Sequence, residues 1–201
     1  MGSKAVTYNL CDGVATIRID DGKRNALSPQ LLDEIYTAFD QAESDRATVI
    51  LTGRDEVFSA GFDLKIMKRG GMSALRMLRS GYALTARVLA YPRPVIAACN
   101  GHAMAMGVFL MLSADYVIGS RGDFRISANE VAIGMTMPDF APTVIVTATP
   151  GDPSALSTAA AHRPLVAVQV SSWVPAPDAR ATQKSWSAGA GSARSPSPCR
   201  R

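Results

Sequence analysis

Two short segments carry residue types that could stabilise a negative charge on a substrate oxygen. They are Phe58-Ser59-Ala60-Gly61-Phe62-Asp63 and Asn100-Gly101-His102-Ala103-Met104-Ala105-Met106-Gly107, and each follows an apolar, strand-like run. The small residues in both segments allow a backbone to approach a neighbouring group closely. If the two turns face each other, two backbone N–H groups could donate to one oxygen, which stabilises an enolate or a tetrahedral oxyanion.

Strands and helices alternate around these segments and must position them. Short apolar runs predict strands, and apolar residues at helical spacing predict helices. The predicted strands are residues 6–10, 14–20, 47–52, 95–99 and 116–119. The predicted helices are 28–43, 64–68, a long helix ending near Tyr91, and 105–113. The apolar face of the long helix is predicted to hold Leu75, Leu78, Tyr82, Val88 and Leu89. This order favours an α/β core with parallel strand pairing.

The composition divides the 201 residues into two parts. Residues 1–138 carry the alternating elements and are predicted to form one core domain. Residues 139–201 hold eight of the twelve prolines and no glutamate, without a sustained helical or strand period. We therefore expect a poorly ordered tail. The tail also holds five Arg and one Lys against three Asp, and so most of the net charge of +4.

Metal-binding, membrane-spanning and nucleic-acid-binding functions are not indicated. Cys11, Cys99 and Cys199 lack the CxxC spacing typical of zinc sites, and the basic residues form no stripe interleaved with aromatics. The apolar stretch 95–119 contains polar residues and glycines, which favours a buried strand-turn-helix over a membrane helix. The amino terminus has no apolar signal-peptide core. We therefore expect a cytoplasmic protein without a metal or redox cofactor.

Three segments, in chain order, resemble the crotonase superfamily of enoyl-CoA hydratases and isomerases. Lys23-Arg24-Asn25-Ala26-Leu27-Ser28 is similar to the family's first CoA-contacting segment. Phe58-Ser59-Ala60-Gly61-Phe62-Asp63-Leu64 is similar to the loop with the first oxyanion donor, and Pro94-Val95-Ile96-Ala97-Ala98-Cys99-Asn100-Gly101-His102-Ala103 to the strand and turn before the second. The resemblance runs from about residue 5 to residue 138. It implies an α/β fold built as a crotonase-like spiral of ββα units, with the C-terminal helical region replaced here by the low-order tail.

The resemblance also implies a substrate and a set of site residues. The substrate is an acyl-CoA or enoyl-CoA thioester, with coenzyme A as the substrate carrier. The N–H groups of Ala60 and Met106 are assigned as oxyanion donors, and Glu130 as the catalytic base. The residues implied to contact substrate or CoA are Lys23, Asn25, Ala26, Leu27, Ser59, Gly61, Asp63, Leu64, Lys65 and Phe109. A family-like homotrimer is implied as well.

Two departures from the family pattern leave the chemistry open. Hydratases of the family carry a glutamate three residues after the second donor, where this chain has Phe109. Glu130 alone could serve an isomerase, which needs one base, whereas a hydratase would need a second acid from elsewhere. A non-catalytic CoA-thioester binding protein is the alternative. The second departure is the sequence after residue 138, which lacks the family's C-terminal helical pattern and which a reading-frame shift would explain.

Three side chains near these motifs have two interpretations each. His102 could carry a proton, but its place in a turn favours a structural histidine. Met106 either narrows the acyl pocket or fills the core. Lys65 either meets a CoA phosphate or is a solvated surface charge.

Overall fold

The computed structural model describes residues 4–128 and Glu130. The strands are β1 (Val6–Cys11), β2 (Val14–Ile19), β3 (Ala26–Leu27), β4 (Thr48–Thr52), β5 (Glu56–Ser59), β6 (Gly61–Phe62), β7 (Val95–Cys99), β8 (Gly101–Met104), β9 (Tyr116–Gly119) and β10 (Ile126–Ser127). The helices are α1 (Pro29–Ser44), α2 (Leu64–Arg69), α3 (Gly71–Leu89) and α4 (Met106–Leu112). The predicted boundary at residue 138 and the tail 139–201 lie outside the described residues.

The start of the chain folds as its local signals predict. β1 and β2 form an antiparallel hairpin whose turn residues, Asp12 and Gly13, both have positive φ (48° and 77°), as a tight two-residue turn requires. Ser28 caps α1, because its side chain accepts a hydrogen bond from the Leu31 N–H at 3.2 Å. Pro29 occupies the first helical position, where no N–H is needed.

The strands form one large sheet and two small ones. The five-stranded sheet has the order β1-β2-β4-β7-β9, with parallel pairing between β2, β4, β7 and β9. This confirms the predicted parallel core. A second, three-stranded sheet has the order β10-β8-β5, also parallel, and β3 pairs with β6.

Consecutive strands of the chain alternate between the two larger sheets. β4 and β5, then β7 and β8, then β9 and β10 each place a first strand in the five-stranded sheet and a second strand in the three-stranded sheet. Helices follow the first two of these strand pairs. The result is the expected succession of ββα units. The short strands β3, β5, β6, β8 and β10 were not predicted from the sequence.

The buried face of the long helix α3 agrees only in part with the one expected. Its buried residues are Ala74, Met77, Gly81, Leu84, Thr85 and Val88. The predicted apolar face included Leu75 and Leu89, which are 56% and 44% exposed. The prediction was wrong for these two residues, whereas Val88 is buried and Leu78 and Tyr82 pack against the core as expected. Small residues such as Ala74 and Gly81 complete the buried face, because they allow close packing that hydrophobicity alone does not indicate. No helix in the described part of the chain is long and apolar enough to cross a membrane.

Candidate active site

The two turns singled out from the sequence meet in space. Gly61 has a φ of 82°, in the left-handed region that favours glycine. A Cβ on Gly61 would lie 2.9 Å from the Ala105 Cβ and the Met104 carbonyl oxygen, and 3.2 Å from the Met106 nitrogen. Glycine at this position therefore allows the β6 backbone to lie directly against the turn that begins α4.

A second glycine keeps the same two segments close. A Cβ on Gly107 would lie 2.7 Å from the Ser59 carbonyl oxygen and 2.9 Å from the Ser59 Cβ. Ser59 is itself fixed, because its Oγ donates to the Asn25 carbonyl at 2.9 Å and accepts from the Gly61 N–H at 3.1 Å. The distance between the two turns is thus set by backbone contacts rather than by long side chains.

The backbone hydrogen bonds correct the expected first donor. The Ala60 N–H donates to the Arg24 carbonyl at 3.0 Å, so it is already engaged within the protein. Three residues later the Asp63 N–H donates to the Leu27 carbonyl at 3.3 Å, on the β3 side of the chain. β3 and β6 pair in parallel, with Leu27 opposite Phe62. In a parallel ladder the carbonyl of Leu27 accepts from the residue after its partner, which is the observed Asp63 N–H bond, so the Phe62 N–H points away from β3.

The other expected donor lies at a helix start. Met106 is the first residue of α4, and N–H groups in the first turn of a helix have no partner within that helix. Ala105 precedes it with φ 49° and ψ −125°, a conformation that residues other than glycine rarely adopt. This strained residue sets the direction from which the chain enters α4.

A cavity of about 220 Å³ opens where these turns meet. Four of the predicted site residues, Ala60, Leu64, Met106 and Glu130, line its wall. Met106 is 1% exposed, so it belongs to both the cavity wall and the core, and its two interpretations are not exclusive. The structure thus brings together residues that are up to 70 positions apart in the sequence.

Glu130 is the buried carboxylate of this cavity. Its side chain is 6% exposed, and Oε2 has no hydrogen-bond partner among the described residues. Burial raises the pKa of Glu130 above that of an ordinary glutamate, and a hydrogen bond from its own backbone offsets this in part. A buried carboxylate without a full set of partners costs stability, which is typical of a site that uses the group chemically.

Six cavity residues were not predicted as site residues from the sequence: Arg24, Phe62, Met67, Tyr82, Met104 and Ala105. Tyr82 of α3 lies on the cavity wall, and burial together with the charge of Glu130 raises the pKa of its phenol. Arg24 and Phe62 line the same cavity. A tyrosine in a helix or an arginine in a loop carries no local signal of such a role. Tyr82 and Phe62 are brought together by the packing of α3 against β6, which the sequence does not show.

Several residues expected to contact CoA are instead enclosed in the protein, and the structure corrects those expectations. Asn25, Leu27, Ser59 and Phe109 are each at most 1% exposed, and none lies on the cavity wall. The Asn25 amide hydrogen-bonds only to backbone groups of the protein. Because these side chains are fully enclosed, they position other residues and do not reach a ligand in this structure.

The remaining predicted contacts have local structural roles or lie at the surface. Asp63 caps α2, since its Oδ1 accepts from the Lys65 N–H at 2.8 Å and the Ile66 N–H at 3.4 Å. Ala26 is half-buried, and the Lys23 and Lys65 side chains are exposed away from the cavity wall. No described contact decides between the two interpretations of Lys65.

His102 has a structural partner, as its position predicted. The Arg125 N–H donates to His102 Nδ1 at 2.9 Å, and the ring packs edge-to-face on Phe124. Nδ1 therefore acts as a hydrogen-bond acceptor within the protein. Among the described residues there is also no group of three His, Cys, Asp or Glu side chains that could hold a metal ion.

Comparison with known proteins decides the family. The model of the enoyl-CoA hydratase/isomerase family matches residues 10–169, well over half of the chain. The chain belongs to this family. The match confirms the resemblance that the motifs predicted.

Solved structures of the family share the fold. A family member from Pseudomonas syringae is 46% identical, with a TM-score of 0.70, and the alignment covers 73% of this chain and 64% of that one. An enoyl-CoA isomerase of Mycobacterium tuberculosis is 43% identical, again with a TM-score of 0.70, over 74% of this chain and 65% of that one. The α/β fold of ββα units is therefore that of the crotonase superfamily.

Sequence relatives include both activities of the family. Enoyl-CoA delta isomerase 3 of Arabidopsis thaliana is 34% identical over 125 residues, which cover 59% of this chain and 52% of that protein. Other relatives are described as enoyl-CoA hydratases. The chain spans about half the length of the curated relatives that it matches.

Proposed function

We propose that this protein is an enoyl-CoA hydratase or isomerase that binds an acyl-CoA thioester and stabilises its enolate. The observation that carries the proposal is the buried carboxylate of Glu130 on the wall of the cavity where the two backbone turns meet, with an Oε2 that has no hydrogen-bond partner among the described residues. Family membership supports the same chemistry. Coenzyme A enters as part of the substrate, and the reaction uses no further cofactor.

The oxyanion donors in this proposal are the N–H groups of Phe62 and Met106. Phe62 replaces Ala60, whose N–H is engaged by the Arg24 carbonyl. The supporting contact is the approach of Gly61 to the Met106 nitrogen, which brings the two turns to one place. Two such donors stabilise the negative charge that develops on the thioester oxygen, and each contributes about 3–4 kcal/mol in known cases.

Glu130 is the base. A group that both accepts and releases a proton works best when its pKa lies near the working pH. Burial shifts the pKa of Glu130 upward, in the direction of neutral pH. In isomerisation Glu130 removes a proton from the α-carbon and returns it to the γ-carbon as the double bond moves. The Arg24 side chain is exposed and lines the cavity, so it can meet a phosphate of CoA at the entrance. A cytoplasmic location and a homotrimer remain predictions.

The proposal is tested by turnover of crotonyl-CoA and of a 3-enoyl-CoA. We expect Glu130→Gln to lower kcat by at least about 100-fold, the usual contribution of a general base, with little change in KM. Asp33→Asn is the matched control, since it removes a carboxylate from the exposed surface of α1. Wild-type turnover equal to that of Glu130→Gln on both substrates would instead favour a non-catalytic CoA-thioester binding protein.

A further inference from the structure

The cavity holds a second group that can take part in chemistry. The described wall is largely apolar, with Phe62, Leu64 and Met106 among its residues, and its polar side chains are Arg24, Tyr82 and Glu130. Arg24 is exposed, whereas Tyr82 is half-buried. Tyr82 is therefore the polar group that shares the enclosed part of the cavity with Glu130.

The fold fixes the Tyr82 ring. The Phe62 ring meets it edge-on, with 5.7 Å between the ring centroids and 82° between the ring planes. The Phe62 ring in turn lies over Gly81, where a Cβ would come within 2.4 Å of Phe62 Cε1. Gly81 thus makes the space that lets β6 and α3 pack together. Tyr82 therefore lies next to Phe62, the residue whose N–H points away from β3.

The electrostatics keep the phenol protonated. Burial raises the pKa of Tyr82, and the negative charge of Glu130 raises it further. When Glu130 is ionised, the tyrosine is therefore a neutral hydroxyl. A neutral phenol can donate one hydrogen bond and accept others, which suits it to hold a water molecule.

The sequence indicates why hydration would need a second group to hold the attacking water. Hydration requires a water held against the β-carbon while a base removes one of its protons. Phe109 stands where the resemblance places the other glutamate of a hydratase, and it is 1% exposed and does not line the cavity. Glu130 is therefore the one carboxylate on the described cavity wall.

We propose that Tyr82 is a catalytic residue that binds the attacking water of hydration opposite Glu130, a role that rests on the proposed function. Glu130 takes one proton from the water as its oxygen bonds to the β-carbon. The electrons of the double bond move onto the thioester oxygen, which the Phe62 and Met106 N–H groups hold. Glu130 then returns the same proton to the α-carbon and the carbonyl reforms. Tyr82 keeps its own proton, and the sum is the addition of one water.

Isomerisation offers an internal control, because it moves a proton without adding water. Removal of the Tyr82 hydroxyl should therefore slow hydration and spare isomerisation. Tyr82→Phe keeps the ring that packs against Phe62. Tyr36→Phe is the matched control, since that hydroxyl donates to the Ser80 carbonyl at 3.0 Å and does not line the cavity.

The experiment measures hydration of crotonyl-CoA and isomerisation of a 3-enoyl-CoA by the same preparations of the full chain. We expect Tyr82→Phe to lower the ratio of hydration kcat to isomerisation kcat about tenfold, the loss of one hydrogen bond in the transition state. The KM values and the ratio for Tyr36→Phe should not change. Because the ratio compares two activities of the same molecules, partial unfolding does not alter it.

Each other outcome overturns the assignment. An unchanged ratio in Tyr82→Phe would show that Tyr82 does not hold the water. Wild-type isomerisation without hydration would refute the role of Tyr82 and leave the proposed function standing. Wild-type protein that turns over neither substrate would refute the proposed function and the role of Tyr82 with it.

Discussion

Asn25 offers the most direct test of how the site is held together. It is fully buried, and its φ of 52° lies in the left-handed region. The side-chain oxygen accepts from the Asp21 N–H at 3.0 Å. The amide nitrogen donates to the carbonyls of Ile19 (2.9 Å), Phe58 (3.1 Å) and Val57 (3.2 Å). Asn25 therefore ties the end of β2 to the strand that leads into the first turn of the site.

The cost of Asn25→Ala follows from these contacts. The amide nitrogen has two hydrogens to share among three carbonyls, and the amide oxygen accepts one more bond. We count these contacts as about three hydrogen bonds at roughly 1 kcal/mol each. Alanine also tolerates the left-handed conformation less well than asparagine, at a cost of about 1 kcal/mol. We expect a loss of about 4 kcal/mol, a large part of the 5–15 kcal/mol typical of a whole domain.

Urea unfolding followed by far-UV circular dichroism measures this loss, with the free energy of unfolding extrapolated to zero denaturant. Asn25→Gly separates the two terms, because glycine adopts positive φ freely. Its loss should be about 3 kcal/mol, from the hydrogen bonds alone. Asn9→Ala is the control, since Asn9 is exposed on β1, and it should change stability by less than about 0.5 kcal/mol.

One pattern of results would refute this reasoning. If the free energy of unfolding of Asn25→Ala lies within about 1 kcal/mol of the wild-type value, the buried amide does not hold the segments together. If the same variant loses CoA affinity while it keeps its stability, the expectation from the sequence that Asn25 contacts CoA is correct.

Two further predictions concern strain and burial at the site. Ala105→Gly should raise the free energy of unfolding by about 1 kcal/mol, because glycine relieves the strain at φ 49°; a lower thermal midpoint would contradict this. Glu130→Gln should be more stable than wild type near neutral pH. The folded state raises the pKa of Glu130, so it binds the proton more tightly than the unfolded chain, and wild-type stability falls as pH rises through this range. The difference should vanish below about pH 4.3, where the carboxyl is protonated in both states. A gain that is the same at all pH values would show that ionisation is not its cause.

The local signals of the sequence were sufficient for most of the larger elements. Asp12-Gly13 predicted the hairpin turn, and Ser28-Pro29 predicted the start of α1. Both depend on φ preferences and hydrogen bonds within a few residues, which the tertiary structure does not alter. Short strands such as β6 and β8 were not predicted, because two to four residues carry too little periodic pattern.

The sequence by itself determined the family, and it predicted that the two small-residue turns and Glu130 lie at one site, since their types and order resemble the family. Only the tertiary structure decided which backbone N–H groups near the cavity are already engaged within the protein. The Ala60 N–H is engaged because Arg24, 36 positions earlier in the chain, places its carbonyl 3.0 Å away. In the same way Asn25 is enclosed and Tyr82 lines the cavity. The direction of a backbone donor and the burial of a side chain depend on distant partners, and these partners meet only in the folded chain.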